Sequence, residues 1–212
     1  MLKVACDRVS ALEVGNTVTV AYECTVGGYP VAMSATYSVA DYAKAILEGE
    51  YDAQAKALVA NAVRYAASVF TYTNTQPTEN VAALLTLAGY TENVGALNAV
   101  PASTADYSAL AEYVESVQLS LGATLKYVVN FKAGFEGTVT VNGTAIEVKG
   151  SEYITLRASD FADGLTLTVN GVTGTYDLAA YYAGVKGTDA ALDALLVALY
   201  NYSAQAKAYV AQ

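Results

Sequence analysis

The chain has 212 residues, which is enough for one large domain or two small ones. It carries a formal net charge of −9 and contains no His, no Trp, two Cys and 18 Tyr. The lack of His excludes an imidazole general base, a Ser-His or Cys-His nucleophile pair and a His-ligated metal. The acidic balance argues against a nucleic-acid partner, because phosphates attract a basic surface.

The apolar segments are too short for a membrane span, which needs roughly 18 to 20 consecutive apolar residues. We therefore predict no membrane insertion. The first residues, Met1 to Cys6, lack the long apolar segment of a signal peptide. We expect the chain to be a mature segment whose signal peptide is not part of this sequence.

Two cysteines are too few for a disulfide scaffold. If their strands form a simple hairpin, Cys6 and Cys24 lie roughly 20 Å apart, whereas a disulfide tolerates a Cα separation of about 7 Å. A bridge would require parallel strands or strands in different sheets. The spacing favours two buried thiols and leaves the bridge as the alternative.

The first third of the chain predicts strands followed by helices. The alternating apolar pattern predicts strands at 2–6, 16–25 and 29–36, with Gly27-Gly28 as the hairpin turn. From Ser38, the predicted N-cap, the apolar residues follow a helical period, and the predicted helix stops at Gly49. Three further helices are predicted at about 52–70, at 78–89 with Thr78 as its cap, and at 104–116.

The second half predicts a β-rich region. Short alternating segments separated by turn residues predict strands at 117–121, 124–133, 137–141, 144–148, 152–157, 164–169 and 172–176. Asn142-Gly143 and Asn170-Gly171 are hairpin signals. The spacing indicates a small β-sandwich, immunoglobulin-like in general architecture, although the Cys…Trp…Cys signature of that family is absent. Helices at about 177–185 and 188–210 close the chain.

An internal duplication is the most informative feature of the sequence. The segment Thr36 to Tyr42 recurs as Thr175 to Tyr181 at an offset of 139, and Tyr65 and Tyr72 match Tyr202 and Tyr209 at an offset of 137. Each predicted unit consists of strands, a short helix that begins near a Tyr, and a long helix with Tyr seven residues apart. Seven residues is close to two helical turns, so each pair of rings lies on one stripe.

The tyrosine stripe has two interpretations. Because the rings share their stripe with apolar side chains, core packing is the favoured one. The alternative is an exposed aromatic platform for a glycan or a peptide. In the last helix the stripe consists of Leu192, Leu195, Leu199, Tyr202, Ala206 and Tyr209.

The segment Tyr37 to Tyr42, and a long helix ending in Tyr-x-x-x-Ala-x-x-Tyr at Tyr202 to Tyr209, carry a family resemblance. They resemble a recurrent β-plus-helical-pair segment of secreted or surface-anchored proteins of Gram-positive gut bacteria. The resemblance covers residues 117–210 well and 14–72 in part. The second copy departs from the pattern, with Asp177 in place of Ser and Ala180 in place of Asp. The resemblance implies an extracellular module of a longer chain, with no assigned activity.

Carboxylate pairs are the available candidates for acid–base chemistry. Asp160/Asp163, Asp189/Asp193 and Glu112/Glu115 are each paired by spacing, the last pair on the predicted helix at 104–116. A glycosidase needs two carboxylates about 5 to 10 Å apart across a cleft, and nothing in the sequence singles out one pair. Turn formation and the helix dipole account for the Asp placements. We therefore assign no catalytic, metal-binding or cofactor-binding residue and predict no cofactor.

The sequence as a whole predicts an α+β protein in which a small immunoglobulin-like β-sandwich combines with helical hairpins in a strand-then-helix duplication. The predicted parts are a first repeat at 1–75, a helical connector at 76–116 and a second repeat at 117–212, whose β-region is 117–176 and whose helical pair is 177–210. We expect these parts to fold as one composite unit.

The predicted function is a non-catalytic, extracellular structural or interaction module of a bacterial cell-surface protein, with other domains of a longer chain, a glycan or a host protein as partners. The alternative is an adhesin module that binds a glycan or a protein through Tyr and the loops of the sandwich. Exposure of the Tyr rings separates the two, because buried rings cannot form a binding platform.

Overall fold

A computed structural model describes residues 9–89, 95–121 and 125–211. The fold is mixed α+β, and the described residues form three antiparallel sheets. The chain divides into two compact units, Met1–Gly95 and Ala96–Gln212. The division falls inside the predicted connector at 76–116. The predicted strand at 2–6 lies outside the described residues.

The described residues of the first unit form a hairpin followed by three α-helices. A short 3-10 helix at Ala11–Glu13 precedes it. The elements are β1 (Thr17–Val26), β2 (Tyr29–Ser38), α1 (Val39–Glu48), α2 (Ala53–Tyr72) and α3 (Glu79–Ala88).

The three helices of this unit pack on one another around small apolar side chains. Its core consists of Ala40, Ala43, Leu47, Ala60, Val63, Phe70, Val81, Leu84 and Ala88. Helix α3 contacts both α1 and α2 and lies within the first unit. The Arg64 side chain of α2 donates hydrogen bonds to the carbonyl oxygens of Ala88, Gly89 and Gly95, which fixes the chain after α3.

Within residues 96–121 and 125–211, the second unit forms two sheets and three α-helices. Strands β3 (Val114–Leu121), β4 (Leu125–Phe131) and β7 (Ser151–Thr155) form one sheet in the order β3-β4-β7. The other sheet has the order β6-β5-β8-β9. Its strands are β5 (Val139–Val141), β6 (Thr144–Ile146), β8 (Leu165–Val169) and β9 (Val172–Tyr176), and the helices are α4 (Ala158–Phe161), α5 (Leu178–Val185) and α6 (Ala190–Val210).

Aromatic rings and leucines fill the interior of the second unit. Tyr127 of β4 is fully buried, and its ring lies 4.8 Å from Phe161 and 6.3 Å from Tyr176 of β9. The ring centroids of Tyr107 and Tyr176 are 5.1 Å apart. Helix α6 contributes three fully buried leucines, Leu195, Leu196 and Leu199.

The predicted hairpin turns and most helix caps are confirmed. Asn142 and Gly143 both have positive φ angles, of 49° and 79°, as a type I′ turn requires. The Ser38 hydroxyl accepts a hydrogen bond from the amide of Asp41, and the Asp41 carboxylate accepts from the amide of Ser38. Gly49 caps the C-terminus of α1. Thr78 occupies the N-cap position of α3, but its side chain makes no cap hydrogen bond.

The predicted helix at 104–116 is wrong. The segment up to Tyr107 has no regular structure, a 3-10 helix covers Ser108–Leu110, and β3 already begins at Val114. Tertiary contacts explain the difference, because this segment lies against β9. The amide of Thr175 donates to the carbonyl of Asp106, and the amide of Asp106 donates to the Thr175 hydroxyl. Backbone groups bonded in this way are not free to form a helix.

The sequence also did not predict α4. The buried Ser203 hydroxyl of α6 holds this four-residue helix at both ends. It donates to the carbonyl of Ala158 at 2.6 Å and accepts from the amide of Ala162 at 2.8 Å. Both partners lie more than 40 residues away from Ser203 in the chain, so a local pattern carries no signal for this helix.

Candidate interaction surface

The hairpin of the first unit has two faces of opposite character. In its register Val18 opposes Tyr37, Tyr22 opposes Met33 and Val26 opposes Tyr29. Directly opposed residues of an antiparallel pair point to the same side of the sheet, and side chains alternate sides along each strand. One side therefore collects ten residues that are all apolar or aromatic. We call this side the apolar face; it consists of Val18, Val20, Tyr22, Cys24, Val26, Tyr29, Val31, Met33, Ala35 and Tyr37.

The opposite side of the hairpin is small and polar. It carries Thr17, Thr19, Ala21, Glu23, Thr25, Pro30, Ala32, Ser34, Thr36 and Ser38. The hydroxyls of Thr19 and Thr36 form a cross-strand hydrogen bond of 2.8 Å. Glu23 is the single charged residue between Thr17 and Ser38, and it lies on this side. The apolar face therefore carries no charge.

The apolar face is exposed. Tyr29 is 76% exposed and Met33 61%, and four further large side chains of the face are also exposed: Val18, Tyr22, Val26 and Tyr37. Val20, Cys24 and Val31 are half-buried. In the part of the chain that the structure describes, this sheet has only its two strands. A two-stranded sheet is at best marginally stable in water, so an uncovered face of this size indicates a contact surface.

A groove extends the apolar face at the end of the hairpin nearest α1. It has a volume of about 340 Å³ and is lined by Val9, Asn16, Val18, Val20, Ala35, Tyr37, Ser38, Val39 and Tyr42. Apolar surface dominates this lining, and Asn16, Ser38 and the two phenol groups supply its polar side chains. The Ser38–Asp41 capping box and a hydrogen bond from the amide of Ala40 to the carbonyl of Val14 fix the backbone beside the groove.

Cys24 lies on the apolar face as a free thiol and is half-buried. It opposes Val31 in the register. Cys24 is therefore a free thiol, as predicted, but it is half-buried where a buried thiol was predicted, and Cys6 lies outside the described residues.

Few of the described tyrosines are buried, and about half are exposed. Among the 17 that lie in described parts of the chain, the buried ones are Tyr65, Tyr127 and Tyr176. Eight are exposed, namely Tyr22, Tyr29, Tyr37, Tyr42, Tyr51, Tyr72, Tyr153 and Tyr209. Core packing therefore holds for Tyr65, whereas Tyr72 and Tyr209 at the far ends of the two stripes are each 42% exposed.

Asp189 and Asp193, which the sequence analysis considered as a carboxylate pair, make local structural contacts. Asp189 caps α6 by accepting from the amides of Ala191 and Leu192, and Asp193 accepts from the amide of Gly187. These contacts agree with the expected roles in helix capping and turn formation.

The other Asp pair binds cationic side chains. Asp163 accepts from the Lys207 ammonium at 2.6 Å, and Asp160 lies 3.8 Å from the Arg157 guanidinium. The hydrogen bond to Asp163 raises the pKa of Lys207. Glu112 and Glu115 are both exposed, and they do not share a helix, because Glu115 lies in β3.

The strongest pKa shifts belong to phenols in the interior of the second unit. Burial, reinforced by the nearby Asp177 carboxylate, raises the pKa of Tyr127 far above its usual range. Burial, followed by the effect of Tyr107, raises the pKa of Tyr176 to about 12. The Tyr127 hydroxyl donates to the carbonyl of Phe161 at 2.8 Å. Both groups stay protonated at neutral pH and serve packing.

The described residues contain no group of three or more His, Cys, Asp or Glu side chains placed to hold a metal ion. None of the helices within 9–89, 95–121 and 125–211 combines the length and apolar character that a bilayer-crossing helix needs. Comparisons with protein-family models, with curated proteins and with solved structures give no match for this chain.

The alternation of apolar residues that produces the apolar face of the β1-β2 hairpin is present in the sequence. The alternation in 16–25 and 29–36 around Gly27-Gly28 predicts two strands whose apolar residues meet on one side. It predicts equally well that this side packs inward. Exposure of Met33 and Tyr29 depends on where the helices of the unit lie, and local periodicity does not determine that position.

Proposed function

We propose that this protein is a non-catalytic, extracellular interaction module that joins or presents other domains at a bacterial cell surface. The observation that carries the proposal is the exposed, uncharged apolar face of the β1-β2 hairpin. An apolar patch of this extent on a surface is typical of a protein contact site. The contacts of Asp163, Asp189 and Asp193 further support the proposal, since they account for these carboxylates structurally.

Site-specific photo-crosslinking tests whether the face makes contacts. A photoreactive amino acid replaces Met33 on the apolar face, and a matched control replaces Ser34 on the polar face of the same strand. In the cells that naturally make the protein, we expect covalent adducts from position 33 and few or none from position 34. Equal yields at the two positions, or no adduct at position 33, refute docking through this face.

The extracellular location has a separate test. A membrane-impermeant amine reagent applied to intact cells should label exposed lysines such as Lys44, whose side chain is 58% exposed. A known cytoplasmic protein serves as the control for cell integrity. Absence of label on intact cells, together with labelling after lysis, contradicts a surface location.

A glycan-binding or peptide-binding adhesin module is the second candidate, and the exposed rings beside the groove favour it. Tyr37 and Tyr42 both line the groove and are both exposed. Aromatic faces stack on sugar rings and on peptide side chains. Because the chain has 18 Tyr and no Trp, tyrosine fluorescence reports binding directly. A saturable change with an oligosaccharide, lost in Tyr37→Ala, supports this candidate; an unchanged signal across an oligosaccharide panel removes it.

We further propose that the two units arose by an internal duplication. We also propose that the two sheets of the second unit form an immunoglobulin-like sandwich. In both units a hairpin leads into a helix capped by a side-chain oxygen, from Ser38 and from Asp177, and the following long helix is capped by Asp52 and Asp189. An edge-to-face contact between Tyr127 of one sheet and Tyr176 of the other supports the proposed sandwich, in which side chains of two sheets pack together. An experimental structure of one of the bacterial surface-protein segments that this sequence resembles, superposed on each of the two units, would test the duplication and the sandwich.

A further inference from the structure

The chemistry of the apolar face restricts what can cover it. Its ten residues include no charged side chain, and the chain as a whole carries a net charge of −9. A cationic partner would gain from the overall charge but would find no carboxylate on the face itself. The face instead matches another flat, uncharged sheet face, since two such faces pack about 10 Å apart through their side chains.

The area of the face matches what a dimer needs. With about 200 Å² for a fully exposed Tyr or Met and about 150 Å² for Val, its six exposed large side chains present about 600 Å². Val39 and Tyr42, which are also exposed and line the adjoining groove, bring the total to about 800 Å². A standard specific interface buries about 800 Å² from each partner. One further copy of this surface therefore supplies a complete interface.

The face is also suited to a two-fold axis. Its five cross-strand pairs run from Val18–Tyr37 to Val26–Tyr29, and Tyr22–Met33 is the central pair. In a two-fold interface the same patch is used by both subunits, so a residue near the axis meets its own counterpart. An axis through the central pair places the Tyr22 and Met33 side chains of both copies together.

We infer that the occupant is a second copy of this chain, and that two β1-β2 hairpins pack apolar face to apolar face around Tyr22 and Met33. The inference rests on the proposed function and specifies its partner. The β1-β2 hairpin of each copy then forms one layer of a four-stranded, two-layer β-structure. The groove beside each hairpin binds the edge of the opposite hairpin. The polar sides with Thr19 and Thr36 then face the solvent.

Sedimentation velocity of the purified chain tests the inference. Interfaces of about 1,600 Å² bind in the micromolar range or tighter, so at about 100 μM the chain should sediment at twice its mass of 22.1 kDa. Met33→Asp buries two carboxylates at the axis and should weaken association at least tenfold. The control Ser34→Asp makes the same change one residue away, on the polar side, and should remain dimeric. A monomeric wild type at this concentration, or equal weakening by both variants, overturns the inference.

The Cys24 thiol supplies a second measurement that leaves every residue of the apolar face unchanged. In a Cys6→Ser background, reaction of Cys24 with an aromatic disulfide reagent should slow at least fivefold as the protein concentration rises through the dimerisation range. A rate that is fast at every concentration shows an uncovered face, and a slow rate at every concentration shows a face covered within one chain. Either result overturns the second copy as occupant, whereas the proposed function is judged separately by the adducts at Met33 in cells.

Discussion

Replacing Tyr127 by Phe tests the interior of the second unit in a quantitative way. The Tyr127 side chain is fully buried in β4, and its hydroxyl donates to the carbonyl of Phe161 at 2.8 Å. The substitution keeps the ring and its contact with Phe161, but it leaves a buried carbonyl without this donor. A buried polar group that loses its partner costs about 1–3 kcal/mol, so we expect the free energy of unfolding to fall by about 2 kcal/mol at pH 8.

The effect of this substitution should depend on pH. Burial raises the pKa of Tyr127 in the folded protein, whereas an unfolded Tyr ionises near pH 10. Above pH 10 the folded state therefore holds a proton that the unfolded state releases. The stability from the protonated phenol is complete below pH 10 and falls by about 1.4 kcal/mol for each pH unit above it. Phe has no such proton, so the cost of Tyr127→Phe should shrink to below about 1 kcal/mol at pH 11.

Urea unfolding followed by circular dichroism at pH 8 and pH 11 measures both effects. Tyr153→Phe is the matched control, because Tyr153 lies in the neighbouring strand β7 and is 60% exposed. We expect it to change stability by less than about 0.5 kcal/mol at pH 8. If Tyr127→Phe costs the same at pH 8 and pH 11, the reasoning about the buried phenol is refuted; a cost below about 0.5 kcal/mol at pH 8 refutes the hydrogen bond.

Ser203→Ala removes the hydroxyl that bridges both ends of α4 and should lower the free energy of unfolding by about 2–3 kcal/mol, whereas Ala204→Ser, an exposed neighbour, should leave the urea midpoint nearly unchanged. Arg64→Ala should speed amide hydrogen exchange near Gly89, and Arg64→Lys should fail to restore protection, because one ammonium cannot replace a guanidinium that bonds three carbonyls. Raising NaCl from about 50 to 500 mM should tighten self-association, since the apolar faces are uncharged and salt screens the repulsion between two acidic chains; weaker association in salt would contradict this.

The domain arrangement also makes a testable prediction. Because the contacts divide the chain between Gly95 and Ala96, the fragment Ala96–Gln212 should keep its fold when it is produced alone. Circular dichroism and urea unfolding of the fragment measure this result. An unfolded fragment would instead support the single composite unit that the sequence predicted.

Local features were the most predictable from sequence. The Asn-Gly and Gly-Gly pairs predicted their hairpins because those turns need residues that tolerate positive φ, and Asn142, Gly143 and Gly27 do have positive φ. Ser38 was predicted as an N-cap because a side-chain oxygen must satisfy the free amides of the first helical turn. These are interactions within a few residues, so the sequence contains both partners.

Contacts between distant residues were not predictable in this way. The segment at 104–116 has a helical pattern, yet hydrogen bonds between Asp106 and Thr175 keep its first part from forming a helix. Helix α4 exists because Ser203 binds both of its ends. In each case the partner lies at least 40 residues away, and the spacing of residues along the chain does not show that they meet.

The candidate surface combines the two kinds of information. The sequence by itself determined that β1 and β2 would gather Val, Tyr and Met side chains on one side, because alternation and turn position fix the register. Only the tertiary structure decided that this side is exposed. The helices of the first unit bury their apolar residues against one another, around Ala60, Leu84 and Ala88, and this packing leaves Tyr29 and Met33 at the surface. Periodicity specifies which side chains share a face, whereas burial depends on what that face contacts.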